Sequence, residues 1–353
     1  ESINMILEFC QRKDEGGLER LYVMGCLSER YLAELREEIS QVDKFYGKFN
    51  WTELINDLRH EYRESIAQER VLTTPGHYAY LKISEGCDRR CSYCAIPFIR
   101  GAHKSVPMEQ LVDEAERLAA KGVRELIIIA QDTTYYGLDL YRRRALAELL
   151  QKLSEVEGIE WIRIHYSYPA AFPEDVLDQM ANNRKVCRYM DIPLQHIADK
   201  VLDNMHRNVD GAWTRELIRK MREKVPGVVL RTTMIVGHPG EGKRAFAELL
   251  DFVREARFER LGAFKYSEEE GTYGAENFSD RTSAKVKQER LDELMTLQSE
   301  ISLSFNQSRV GSEIDVIVDD FADGIFVCRS EFESPEVDGE ILVKYDASVM
   351  GDV

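Results

Sequence analysis

The stretch "SEGCDRRCSYCAIP", Ser84 to Pro97, places Cys87, Cys91 and Cys94 within eight residues in the spacing C-x3-C-x2-C. A disulfide framework uses cysteines in pairs, and a structural zinc site normally has four ligands. Three thiols leave one coordination place open. The stretch follows a strand-like run, "YLKIS" (80–84). Similar runs recur at "ELIIIA" (125–130), "WIRIH" (161–165), "YMDIPL" (189–194), "VVLRTTMIVG" (228–237) and "LGAFKY" (261–266). Near-continuous apolar runs separated by helical patterns such as "PMEQLVDEAERLAAKG" predict a parallel sheet buried on both faces. Six repeats are fewer than the eight that close a full barrel, so the expected body is an α/β fold, an open partial (βα)6 barrel, with a doubly wound sheet as the alternative. In both, chemistry gathers at the C-terminal ends of the strands, where the cysteine stretch lies.

The flanks differ in pattern. Ile3, Ile6, Leu7 and Cys10 mark an amphipathic helix, and "RLYVMGC" (20–26) and "VDKFYG" (42–47) are strand candidates around a helix rich in Glu and Leu. This predicts a small α/β layer over 1–72 that starts mid-domain. From Trp51 to Pro75 the pattern suits a helix followed by a linker. The core is expected over 77–306, closed by a long helix from Ser283 to Asn306. Beyond it, "SEIDVIVDD", "GIFVCRS" and "GEILVKY" alternate apolar and polar residues around turn formers, which predicts a small β-barrel module over 308–353. That module holds twelve Asp and Glu against Arg309, Arg329 and Lys344, a net of 3 − 12 = −9.

Charge limits the partners. The chain of 353 residues carries 63 acidic and 47 basic side chains, a formal net of −16. That argues against a general electrostatic grip on phosphate backbones and favours a basic partner. No run of eighteen apolar residues and no signal-peptide pattern occurs, so no membrane partner and a cytoplasmic location are expected. Seven cysteines, odd in number and unevenly spaced, point to metal or catalysis in a reducing compartment.

A [4Fe–4S] cube presents four irons, and three thiolates on one loop leave the fourth iron to an exogenous ligand. The triplet, the aromatic Tyr93 before its last cysteine, and the six-repeat body resemble the radical S-adenosylmethionine superfamily. The resemblance implies a cluster on Cys87, Cys91 and Cys94 that chelates S-adenosylmethionine and cleaves its sulfonium bond, giving a radical that removes hydrogen from unactivated carbon. "IPFIRG" (96–101), "QDTTYYG" (131–137), "VGHPGE" (236–241) and "YSEEEGT" (266–272) resemble the methylthiotransferase branch, whose members join an N-terminal α/β domain, a radical barrel and a C-terminal module of the TRAM type. "DIPLQHIADKVLDNMHR" (191–207) and "FESPEVD" (332–338) resemble the type that acts on an aspartate of ribosomal protein S-twelve. This implies conversion of a β-carbon C–H to C–S–CH3, with a basic ribosomal protein, free or on the ribosome, as substrate, and an electron donor as a further partner. The branch also carries a second [4Fe–4S] cluster on three cysteines of its N-terminal domain. "VMGCLSERY" (23–31) matches one of them, Cys26; the other two have no counterpart, and Cys10 lies in another context.

Alternatives stay open. They are a tRNA methylthiotransferase of the same branch, a zinc site completed by His103, and a non-enzymatic iron–sulfur or zinc protein acting as an acidic adaptor. Among single residues, Tyr93, Gln131, Asp132, Arg163, His165 and Gly237 are candidate cofactor contacts, and Gln195 and His196 candidate substrate contacts. Each has a plain structural reading: a helix cap for Asp132, a salt bridge for Arg163, a satisfied core histidine for His165, a turn for Gly237, and a loop before a helix for Gln195 and His196.

Overall fold

A computed structural model describes residues 2–58 and 70–346. The chain divides into two compact units, Glu1–Thr73 with Ile96–Gly101, and Thr74–Ala95 with Ala102–Val353.

In the second unit six strands form one parallel sheet: Tyr78–Lys82, Glu125–Ile129, Trp161–Ile164, Val186–Asp191, Val229–Val236 and Arg260–Lys265. They lie side by side in strict sequence order, the first and last at the edges. A doubly wound sheet reverses its strand order at a switch point, and this one does not, so the open partial barrel is the observed architecture. The strand centres are apolar and sealed: Leu81, Leu126, Ile127, Ile128, Ile162, Met190 and Leu230 are fully buried. Each crossover supplies an amphipathic helix. In Met108–Ala120, for example, Leu111, Ala115 and Leu118 recur at helical spacing and all are buried. The first strand starts two residues earlier than its apolar run suggests. Ser84 and Glu85 instead pair antiparallel with Lys104 and Ser105, which closes off the cysteine stretch as a separate loop.

The long helix spans Ala284–Ser308, with Ser283 capping it through Val286 N. Beyond it, Ile317–Ala322, Ile325–Arg329 and Ile341–Lys344 form a three-stranded antiparallel sheet. Among the described residues this is an open sheet, not the closed barrel expected, and its first strand begins at Ile317 rather than near Ser312. Asp323 and Gly324, both at positive φ, make its tight first turn, as a two-residue hairpin with right-handed strand twist requires.

The segment Arg329–Asp338 packs across the starts of the barrel strands. One Glu125 oxygen accepts from Arg163 Nε at 2.7 Å, and the other is ion-paired with Arg329 Nη2 at 2.6 Å. Arg163 also donates to the carbonyls of Ser330 and Glu331. Tyr78 and Tyr189 donate to Glu336 and Asp338, and Glu333 holds Arg260. Phe332 packs on the cluster of Cys187, Tyr189 and Val229.

In the first unit, Tyr22–Met24 and Lys44–Tyr46 pair in parallel. The expected helix between them is two, Cys26–Arg30 and Leu32–Glu38. The first helix runs Ser2–Asp14; Ile6 and Cys10 enter the core, whereas Ile3 and Leu7 are exposed. Helix Trp51–Asp57 follows, and part of the linker expected before Pro75 lies outside the described residues.

Candidate active site

The cysteine loop sits beyond the C-terminal end of the first barrel strand and is braced by loops that follow other strands. Arg89, between the first two cysteines, donates through Nε to Asp132 at 2.8 Å. Ser92 N donates to Met205 O at 3.0 Å, and Ser92 O accepts from Gly274 N at 2.6 Å. Asp88 accepts from the backbone N–H of His103. Gly274 is required for this approach, because a Cβ there would lie 2.8 Å from Ser92 O. Three of these braces, Asp132, Met205 and Gly274, come from the connections after the second, fourth and sixth strands, so the sheet's order helps to fix the loop's shape.

None of the seven cysteines forms a disulfide. Cys87, Cys91 and Cys94 are half-buried, and burial pushes the Cys87 thiol up to about 11. Among the described residues, no three or more His, Cys, Asp or Glu side chains are placed to hold a single metal ion. A cube asks for something else, one thiolate at each of three separate corners. Around the loop, several buried polar atoms lack a protein partner: Arg89 Nη2, Ser92 Oγ, Arg207 Nε and Gln195 Oε1. Buried polar groups are otherwise nearly always satisfied, so the residues present fit a bound polar group beside three thiols.

Two arginines converge there. The Arg207 guanidinium is 3.4 Å from both Cys91 Sγ and the Tyr93 hydroxyl, and it lies 4.2 Å from the centroid of the Tyr168 ring. Arg89 lies 4.0 Å from the same centroid. The Tyr168 hydroxyl donates to Arg207 O at 2.9 Å and is 3.8 Å from Cys91 Sγ. Burial raises the Tyr93 hydroxyl pKa well above its ordinary value. A cavity of about 720 Å3 is lined by His206 and Asn208, on either side of Arg207 in the chain, together with Asp199, Asp203, Asp210 and Trp213.

The sequence candidates separate. Tyr93 lies in the loop as expected. Gln131 is exposed at the end of the second strand, while Asp132 is buried and does double duty. One oxygen caps the turn Thr133–Tyr135 through Thr134 N, and the other holds Arg89. Arg163 and His165 face the C-terminal module instead: for both, the structural alternative is the one observed. Arg163 has its donors on Glu125, Ser330 and Glu331, and His165 Nε2 pairs with Ser334 Oγ at 2.9 Å. Burial lowers the His165 pKa to about 3. His196 does not face an open site. Its Nδ1 accepts from Ala198 N, just before the helix Asp199–Asn204, and its Nε2 lies 3.3 Å from Glu241. Gln195 is held at φ +75° by backbone bonds to Thr233 and Ile235, with Oε1 unpartnered. At Gly237, φ is +78° and a Cβ would lie 2.5 Å from Lys287 Cγ, so the close neighbour here is a side chain of the closing helix. Cys26 opens the helix Cys26–Arg30 in the first unit, exposed, with Arg100 Nη2 at 3.9 Å. His103 is buried against Ser105 and the Tyr135 ring. Arg89, Tyr168 and Arg207 carry no sequence expectation of their own. Arg89 and Arg207 read as charges in quoted motifs, and only the fold reveals their burial.

Comparison with known proteins agrees with this geometry. The radical SAM superfamily profile matches residues 81–253, and the TRAM domain profile matches 310–353. A protein of Phocaeicola vulgatus called ribosomal protein uS12 methylthiotransferase RimO is 58% identical over 98% of this chain and 80% of its own length. The chain belongs to the RimO family. Relatives of the same name in Porphyromonas gingivalis and Christiangramia forsetii are 54% and 51% identical, over 98% and 97% of the chain and 80% and 76% of their own lengths. Among solved structures, the cobalamin-dependent S-adenosylmethionine radical enzyme OxsB aligns with TM-score 0.53 at 13% identity, over 90% of this chain and 52% of its own. The Escherichia coli coproporphyrinogen III oxidase HemN aligns with TM-score 0.50 at 20% identity, over 68% and 56%. These two speak to the fold alone. RimO family membership carries radical S-adenosylmethionine chemistry, and with it a [4Fe–4S] cluster and the cofactor. Among the described residues no helix is long and apolar enough to cross a membrane.

Proposed function

We propose that this chain methylthiolates ribosomal protein uS12, the S-twelve protein, converting an aspartate β-carbon C–H into C–S–CH3. The observation that carries the chemistry is the braced loop of Cys87, Cys91 and Cys94 amid buried polar atoms that lack protein partners. The relatives' shared name supports the substrate. When bound, the cluster and S-adenosylmethionine supply reductive cleavage of the cofactor's sulfonium bond. The chain's own residues bind and orient: the three cysteines hold the cluster, and Asp132 fixes Arg89 beside it. Tyr93 and Gln131 line the cofactor side, and Gln195, with an unpartnered carbonyl oxygen, faces the reacting groups.

Charge supports a protein substrate. The cavity beside Arg207 carries Asp199, Asp203 and Asp210, and the C-terminal module is acidic, which suits a basic polypeptide better than a phosphate backbone. Cys26 is proposed as one ligand of a second cluster, and the cytoplasm as the place of action, with an electron donor and the ribosome as further partners. The test is mass spectrometry of uS12 and of bulk tRNA after anaerobic incubation with the reconstituted chain, S-adenosylmethionine, sulfide and a reductant. A methylthio group on the uS12 aspartate is expected. Modified tRNA with unmodified uS12 contradicts the proposal.

A further inference from the structure

Among the described residues three arginines are almost wholly buried, Arg163, Arg329 and Arg207, none more than 4% exposed. Arg163 and Arg329 share the Glu125 carboxylate, and Arg329 also holds Asp319. Arg207 differs. Among the described residues it pairs with no carboxylate. Nη1 reaches Cys91 Sγ and the Tyr93 hydroxyl at 3.4 Å, Nη2 donates to Pro193 O, and Nε has no partner. A buried guanidinium without an anion is strongly unfavourable.

The loop is built to hold it there all the same. His206 and Asn208, on either side, both have positive φ, +55° and +56°, and the Tyr168 hydroxyl donates to the Arg207 carbonyl. Two left-handed residues that are not glycine, one on each side, are a strained way to turn the side chain between them inward. The anion-capable group within reach is the Cys91 sulfur.

We propose that Arg207 is the fixed counter-charge of the cysteine loop: it donates to the Cys91 sulfur, offsets the negative charge of a thiolate-ligated cluster, and thereby sets that cluster's reduction potential. This rests on the reading of Cys87, Cys91 and Cys94 as cluster ligands. Arg207 is a positioning and tuning residue, not a ligand. Adding an electron to an anionic site is easier beside a fixed cation, so losing the cation moves the potential down.

The experiment compares the wild-type chain with R207K and R207Q, each reconstituted anaerobically with iron and sulfide. It measures the midpoint of the cluster by redox titration without S-adenosylmethionine, and thermal unfolding of the cluster-free proteins. R207Q is expected to show a more negative midpoint, with R207K recovering most of the shift. The cluster-free R207Q protein is expected to unfold no earlier than wild type, because the lost side chain is an unpaired buried cation. Failure of R207Q to hold a cluster, with R207K holding one and both folded, also supports the proposal. An unchanged midpoint in R207Q overturns it, as does a change in S-adenosylmethionine affinity alone. A cluster-free R207Q protein that unfolds well below wild type makes the role structural and equally overturns it. If wild type itself takes up no cluster, the parent reading fails first, and that outcome is visible as absent iron before any variant is compared.

Discussion

The two ends of the partial barrel handle buried polarity in opposite ways. At the strand starts, the C-terminal module covers the opening, and each buried charge finds an opposite one: Glu125 between Arg163 and Arg329, Glu333 with Arg260 and Arg309. At the strand ends, Arg207 has no carboxylate, and Arg89 Nη2, Ser92 Oγ and Gln195 Oε1 have no partner. At the strand starts the charged atoms without a hydrogen bond, Glu125 Oε2, Arg329 Nη2 and Arg260 Nε, all belong to groups that are ion-paired within the protein. The strand ends are complete only with something bound, and a binding site differs from a structural ion-pair network in that respect.

That contrast can be broken from either side. The largest effect is expected from Cys91→Ser, which should abolish methylthiolation and the iron–sulfur absorbance after reconstitution, while the melting temperature of the cluster-free chain stays within a degree or two of wild type. At the other end, Glu125→Gln leaves the buried Arg163 guanidinium without its anion and Arg329 with Asp319 alone. It should destabilise the fold by about 3–5 kcal/mol, seen as an earlier denaturant midpoint, with iron content per folded molecule unchanged. Gly274→Ala sets a Cβ against the Ser92 carbonyl, backbone against backbone. About 1–3 kcal/mol of overpacking strain is expected, appearing as weaker cluster retention during gel filtration.

A pH dependence comes last, smallest when taken over a single pH unit. Burial lowers His165 to about 3, below its unfolded value, so the unfolded chain binds one more proton between that pH and the ordinary histidine range. Stability should therefore fall as pH drops below about 6.5, by roughly 1.4 kcal/mol per pH unit from this group. His165→Gln, which can still meet Ser334, should flatten that slope in denaturant titrations between pH 6 and 4.5.

The six strands and the cysteine loop were legible because both are local. Apolar runs such as "ELIIIA" need only a buried sheet, and C-x3-C-x2-C needs only one turn of chain. Side-chain destinations were not. Arg163 and His165 share a face of the third strand, as their spacing says, but what that face meets is Arg329–Asp338, well over a hundred residues later. His196 looked available beside Gln195; its ring instead caps Ala198 N and faces Glu241. Arg207 was one charge among many until the fold buried it against Cys91. Periodicity predicts which way a residue points, while the partner it meets depends on contacts between distant parts of the chain.

The most direct measurement is electron paramagnetic resonance of the reduced, anaerobically reconstituted chain, recorded with and without S-adenosylmethionine. A [4Fe–4S] signal that changes when the cofactor is added, and that is missing from Cys91→Ser, is the predicted result. A protein that holds only zinc, or a cluster whose spectrum ignores S-adenosylmethionine, would contradict the account.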